Sequence, residues 1–337
     1  MTSELGWPVF VSAEAAEKVY DWSEAIAKLQ HVYSLPHPAS AVPNRTVAAE
    51  SRAWLRTLPA VPPGCQYFGA KLMGMSTTAT KAAPGVEYVI VLFDRETSRI
   101  AAFVDGNLVT GYRTAATSAA ALDRLAPAGP ARLVVLGSGF EASTHVRAFA
   151  AVRDLSEVIV CSTTPARREA FARKVTEDLG IPARATGDAE EAVRAGDIVL
   201  CAARSKDEKP ILFGEWLRAG ATVVSIGSTI PEQREIDISV VSASDLIVCD
   251  MVHEVMEETG DMLAARAAGI DASGIVFSLN DLLGGLIDAQ RDAAGIRMFK
   301  SVGGGLQDVV VAELILTKAL AAGLATPLPI TFETKSA

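Results

Sequence analysis

The sequence predicts an α/β protein, a Rossmann-like doubly wound parallel sheet joined to a second, α+β domain. Three observations carry that prediction. After residue 115 short apolar runs alternate with helical patterns, as parallel strands with helical crossovers require. A G-x-G-x-x-A turn, Gly137, Gly139 and Ala142, sits between the first of those runs and the helix after it. At 337 residues the chain exceeds one ordinary core, so two domains are expected.

The elements follow in order. Residues 12–33 place Val19, Trp22, Ile26, Leu29 and Val32 at helical spacing, and Asp21 or Ser23 can cap a second helix there. A Pro-punctuated stretch runs from Pro36 to Pro63. Strand-like YVIVLFD (88–94) and IAAFVDG (100–106) are joined by the turn-rich RETSR, and Asp105-Gly106 reads as a tight turn into NLVTG. This part resembles a mixed sheet with flanking helices. The helix AATSAAALDRLA, from residue 115, ends at Pro127 and Gly129. LVVLG (133–137), EVIVC (157–161), DIVLC (197–201), ATVVSIG (221–227) and LIVCD (246–250) read as buried parallel strands, with a helix over 165–179 between two of them. Residues 301–323 give a Gly-rich turn and a strong helix expected to return to the first domain. The expected division is therefore 1–118 with 301–337 around a Rossmann domain of 119–300.

Composition narrows the function classes. A net charge of −9 argues against nucleic acid as a partner, although a local arginine cluster can still bind a small anion. Cys65, Cys161, Cys201 and Cys249 show no CxxC or Cys/His spacing, so neither a metal site nor a disulfide framework is expected. Three of them end apolar runs and read as buried, reduced thiols. The start MTSELGWPVF lacks a basic segment followed by an apolar one, and no apolar run reaches the roughly 20 residues of a membrane helix. A cytoplasmic enzyme is expected.

The glycine turn has a chemical reading. Gly137 permits the turn, Gly139 lets backbone approach a pyrophosphate, and Ala142 allows close helix packing. The helix start, with Phe140 and Glu141, offers free N–H groups and a positive dipole end. Two glycines alone also describe a plain tight loop; the strand, the helix and a second strand at the right distance favour dinucleotide binding. An NAD site usually ends that second strand with a carboxylate on the ribose. Here it ends in Ser162 and Thr163, followed by Arg167 and Arg168, which can meet a ribose phosphate. NADP(H) is favoured and NAD(H) remains possible. Both arginines would otherwise read as solvated residues on the following helix.

Four ordered blocks, DGNLVTGYRTAATSA (105–119), VLGSGFEA (135–142), PILFGEWLRAGATVVSIGS (210–228) and FKSVGGGLQDVVVAELI (299–315), resemble the ornithine cyclodeaminase/mu-crystallin family over about residues 40–320. The third is nearest the ketimine reductase (mu-crystallin) branch. The resemblance implies a homodimer acting on a small amino or imino acid with a nicotinamide cofactor, the α+β domain serving as substrate and dimerisation domain. It implies that Arg45, Lys71 and Arg113 hold the substrate carboxylate, with Lys71 as carboxylate ligand or proton donor. Arg forks suit a carboxylate whatever the family, but without the resemblance Lys71 reads as a solvated edge-strand lysine and Arg45 as surface. Arg113 reads as a helix-start cation, which opposes the dipole and hints at a bound anion. Thr114 and Ser228 are implied at the cofactor. Asp308 is placed there too, or else is a first-turn carboxylate favoured by the helix dipole. Cyclodeaminases carry an Asp where this chain has Thr229. A hydroxyl cannot supply that negative charge at neutral pH. A simple reductase is therefore expected ahead of an ammonia-releasing lyase, and both ahead of a non-catalytic NADP(H)-binding protein. The substrate side chain is expected to meet residues 60–90, where Lys71, Lys81 and Glu87 carry charge.

Overall fold

The computed structural model describes residues 7–76, 85–203, 209–333 and 335, so Lys81 lies outside the described residues. Strand β1 (Val9–Val11) leads into α1 (Ala13–Val19) and α2 (Trp22–Ser34). The apolar spacing of 12–33 is thus split between two helices. Asp21 makes the second start, its carboxylate accepting from the Glu24 amide at 2.9 Å. The Pro-punctuated stretch contains more structure than its composition suggests, a hairpin of β2 (Thr46–Glu50) and β3 (Ala53–Ala60). β2 is exposed along its whole length, so no apolar alternation marks it.

β4 (Tyr67–Ser76), β5 (Val86–Asp94) and β6 (Ile100–Asp105) continue the sheet antiparallel. β4 is an interior strand, paired with β3 on one side and β5 on the other. The expected tight turn at Asp105-Gly106 is instead the start of α3 (Gly106–Leu125), which therefore begins nine residues before the 115 read from sequence. Asp105 causes this locally, its carboxylate accepting from the Asn107 amide at 2.9 Å and so capping the helix. Glycine is needed at 106, since a Cβ there would stand 2.8 Å from the Tyr88 Cβ.

The second sheet is parallel throughout. It is built from β7 (Ala131–Leu136), β8 (Leu155–Cys161), β9 (Ala183–Thr186), β10 (Ile198–Cys201), β11 (Thr222–Ser225), β12 (Leu246–Cys249), β13 (Val276–Ser278) and β14 (Arg297–Lys300). Its order is β13-β12-β14-β11-β10-β7-β8-β9. Between these strands run α4 (Phe140–Ala150), α5 (Pro165–Leu179), α6 (Ala189–Ala195), α7 (Ile238–Ala243), α8 (Val252–Glu258), α9 (Gly260–Ala267), α10 (Leu279–Leu283) and α11 (Asp288–Ala293). β7, β8, β10, β11 and β12 have buried centres of Val, Leu and Ile, the pattern of a sheet covered on both faces. All four cysteines are free and buried. The strand order reverses at β7, with β8 and β9 to one side and β10 to the other, the switch point of a Rossmann-like α/β fold.

The chain then forms α12 (Gly305–Ala321) and β15 (Thr326–Pro327), the latter antiparallel to β1. Two units result, residues 1–114 with 304–337, and 115–303. In the first, α12 packs on β3, β4, β5 and β6 and against α1 and α2. It is apolar nearly all round, as a helix buried within a unit must be.

Candidate functional site

Three buried ionised side chains meet in the first unit. Lys71 sits mid-strand in β4 opposite Leu58 and Ile90, which fixes its side chain on the sheet face covered by α12. Asp308 lies in the first turn of α12, and its Oδ1 stands 2.9 Å from the Lys71 Nζ and 2.8 Å from the Arg113 Nε. Gln307 beside it accepts from the Arg113 Nη1 at 2.8 Å and donates to the Tyr33 hydroxyl at 3.1 Å. Two cations thus share one carboxylate in a water-poor setting. The three formal charges sum to plus one, and a small monoanion would complete the set.

Burial pulls the Lys71 ammonium down to about 8; Asp308 opposes that shift, while Arg113 and then Arg56 add to it. The amine therefore titrates close to neutrality, where a proton donor is most effective. The Tyr88 ring lies 5.9 Å from its Nζ and Thr110 accepts at 3.4 Å. Lys71 is neither solvated nor on an edge, so the surface reading of this residue is overturned. Arg113 is corrected as well. It lies two turns into α3 and not at a helix start, so the dipole argument for an anion does not apply to it. The anion is instead indicated by the ion cluster itself.

Arg45 is half-buried in the loop just before β2. The ladder pairs Thr46 with Thr57, and Leu58 with Lys71, so one further pair would line Arg45 up with Lys71 across β3. Two strand spacings, roughly 10 Å, separate such positions. Thr114 donates its hydroxyl to the Thr110 carbonyl at 2.6 Å. Sequence reasoning passed over Gln307, Arg56 and Tyr88. Gln307 had a signal, a polar side chain adjoining Asp308 in a mostly apolar helix.

The second unit carries the glycine turn at the C-terminal end of β7. Gly137 has φ +132°, and a Cβ there would stand 2.5 Å from the Ala202 carbonyl oxygen, so only glycine fits. At Gly139 a Cβ would meet nothing within 4 Å, which leaves the α4 N-terminus open. Its N-cap residue, Gly139, makes no side-chain cap. Ala142 is fully buried, as close helix packing demands. These features fit the pyrophosphate of a dinucleotide, which the first-turn N–H groups of Phe140 and Glu141 would hold. The Ser138 hydroxyl donates to the Ser162 hydroxyl at 3.0 Å, tying the turn to the end of β8. Arg168 donates to the Ser162 carbonyl at 2.8 Å, whereas Thr163 and Arg167 are exposed. In the loop after β11, the Ser228 hydroxyl donates to the Gln233 carbonyl at 2.6 Å, and the Thr229 hydroxyl to the Gln233 Oε1 at 3.1 Å.

Beneath that loop lies a buried network that sequence reasoning missed. Lys300, at the end of β14, stands 2.9 Å from the Asp261 Oδ2 and donates to the Ser225 hydroxyl at 2.9 Å. Ser225 and the Gly227 amide both donate to the Glu235 Oε2, at 2.7 and 2.8 Å. Burial alone would lower the Lys300 pKa, but Asp261 and Glu235 outweigh it and hold it above the ordinary value. Burial pushes Glu235 up to about 7, against the pull of Lys300, Ser225 and the Gly227 amide. The one sequence signal was a lysine closing the apolar strand RMFK. Among the described residues no His/Cys/Asp/Glu group could hold a metal, and no helix is long and apolar enough to cross a membrane.

The chain is similar to known proteins over most of its length. The family model described as ornithine cyclodeaminase/mu-crystallin matches residues 17–323. A ketimine reductase mu-crystallin of Macropus fuliginosus is 30% identical over 323 residues, 92% of this chain and 98% of the relative. A Delta(1)-pyrroline-2-carboxylate reductase of Bacillus cereus is 26% identical, covering 93% of this chain and 97% of the relative. Among solved structures, Delta(1)-pyrroline-2-carboxylate reductase of Thermococcus litoralis, in complex with NADH and L-proline, matches with a TM-score of 0.85 and 25% identity. That match covers 95% of this chain and 100% of the other. The chain belongs to the ornithine cyclodeaminase/mu-crystallin family.

Proposed function

We propose that this chain is an NADPH-dependent reductase of a small imino acid, a cyclic ketimine carboxylate or a related amino/keto acid couple. At the coarser level it is an NAD(P)-dependent oxidoreductase acting on C=N, the activity its reductase relatives are named for. The observation that carries the finer reading is the buried cluster of Lys71, Arg113 and Asp308, with two cations on one carboxylate. In this reading Arg113, with Arg45, orients the substrate carboxylate, and Lys71 either joins them or delivers its Nζ proton to the imine nitrogen. In both roles Lys71 must start in its charged form. When bound, the reduced nicotinamide supplies the hydride that adds to the imine carbon. If Lys71 gives up its proton, it is left as a neutral amine that water reprotonates. Holding the reactants oriented provides much of the acceleration, since a protonated imine is already electrophilic.

Gly137, Gly139, Phe140, Glu141, Ala142 and Ser228 hold the dinucleotide in this proposal. The acid-free end of β8, with Arg167 and Arg168, favours the 2′-phosphate of NADPH. A cyclodeaminase is disfavoured by Thr229, whose hydroxyl donates to Gln233 and brings no carboxylate. A cytoplasmic homodimer completes the proposal, and sedimentation at two loading concentrations checks its stoichiometry. NADPH and NADH oxidation with five- and six-membered cyclic imino acids tests the reaction. Turnover with neither ring, together with ammonia release from ornithine or lysine, would sink the reductase reading in favour of the lyase.

A further inference from the structure

We propose that Asp308 is a positioning residue for this reaction: through the single oxygen Oδ1 it fixes the Lys71 ammonium and the Arg113 guanidinium in one pose and keeps Lys71 charged. The inference rests on the imino-acid reductase reading and reassigns Asp308, which the sequence had placed at the cofactor.

The geometry separates this role from that of a dipole-stabilised helix start. Oδ1 is 2.9 Å from the Lys71 Nζ and 2.8 Å from the Arg113 Nε, cations delivered by a strand and by a different helix. Asp308 is fully buried, and its second oxygen has no hydrogen-bond partner among the described residues. A carboxylate serving its own helix would spend its oxygens on first-turn amides. This one spends Oδ1 on the two side chains that bear the proposed chemistry. Such burial is costly unless the paired cations matter.

The groups that face Lys71 decide its charge. From α3 come Arg113 and Thr110, from β3 Arg56, from β5 the Tyr88 ring, and from α12 Asp308. Of these, Asp308 alone is negative. Burial, Arg113 and Arg56 all push the proton off, and Asp308 is what holds it on.

The test is kcat/KM against pH for the wild-type protein and for Asp308→Asn, Asp308→Ser and Asp308→Glu, with one cyclic imino acid throughout. The substrate's own titration is then common to all profiles. Cofactor binding shows which variants are folded, and either neutral variant that folds decides the matter. The expected wild-type profile falls above about 8. In D308N or D308S that fall moves to lower pH by about one unit or more. D308E restores its position even where the rate stays low. A neutral variant whose profile is merely scaled down, with its alkaline limb unmoved, overturns the inference and leaves the reductase reading standing. A wild-type protein that reduces no imine overturns both.

Discussion

Lys71 shows how a side chain acquires function from where the chain folds it. Its β4 register and the burial around it turn an ordinary lysine into one that titrates near 8. Lys71→Ala is predicted to bind NADPH as tightly as the parent while losing turnover by at least roughly 10²-fold, the usual worth of a positioned proton donor. Cofactor titration by fluorescence and steady-state kinetics read the two effects separately, and full activity would remove Lys71 from the mechanism. Glu235 supplies a stability test. Its folded pKa of about 7 lies above the ordinary 4.5, so its contribution is fully present below 4.5 and is lost as pH rises to 7. Glu235→Gln, which does not titrate, should therefore gain on the wild type across that window, by up to about 3 kcal/mol at its upper end. Urea midpoints at pH 4, 6 and 8 check this, and a gap that does not widen with pH refutes it. Neither Lys71 nor Glu235 could be singled out from local sequence, because burial and charge partners drawn from distant segments create their chemistry. Gly137 was legible at once, because it belongs to a turn pattern contained in one short stretch of sequence.

At the scale of elements, the parallel sheet was readable and the antiparallel one only partly so. β7, β8, β10, β11 and β12 are continuous apolar runs, which declare themselves because both faces are covered. β2 is exposed throughout and β3 carries Pro59, so neither presents a clean period. The start of α3 was hidden because Asp-Gly is both a turn signal and a helix cap. Two predictions belong here. Gly137→Ala places a Cβ against the Ala202 carbonyl at a φ of +132°, and should abolish dinucleotide binding or unfold the second unit. Calorimetric titration with NADPH, alongside a melting curve, distinguishes the two outcomes; unchanged binding would mean that the turn does not set the site. Ser162→Asp with Arg168→Ala rebuilds the acid-ended strand of an NAD site, and should shift the NADPH-to-NADH ratio of kcat/KM toward NADH by about tenfold or more. An unchanged ratio would place phosphate recognition elsewhere.

For the whole molecule, the sequence predicts two kinds of architecture with a chain that leaves the first and comes back. The structure divides into residues 1–114 with 304–337 and residues 115–303, with α12 in the first of these. Its return matters chemically, because it carries Gln307 and Asp308 to Lys71 and Arg113 from nearly two hundred residues or more along the chain. No window of local sequence could reveal that meeting; the resemblance to a family grouped Lys71 and Arg113 with Arg45 and placed Asp308 at the cofactor. An overall charge of −9 coexists with a buried cluster whose formal charge is positive, so bulk composition does not describe the site. The central claim is that this cluster and the glycine turn together serve reduction of an imino acid carboxylate. Absorbance at the reduced-nicotinamide band, with purified protein, NADPH and a five- or six-membered cyclic ketimine carboxylate, tests it most directly. The account predicts stoichiometric NADPH oxidation with formation of the cyclic amino acid, faster than with NADH and without ammonia release from ornithine or lysine. Tight NADPH binding with no oxidation of it across those imines would contradict the claim.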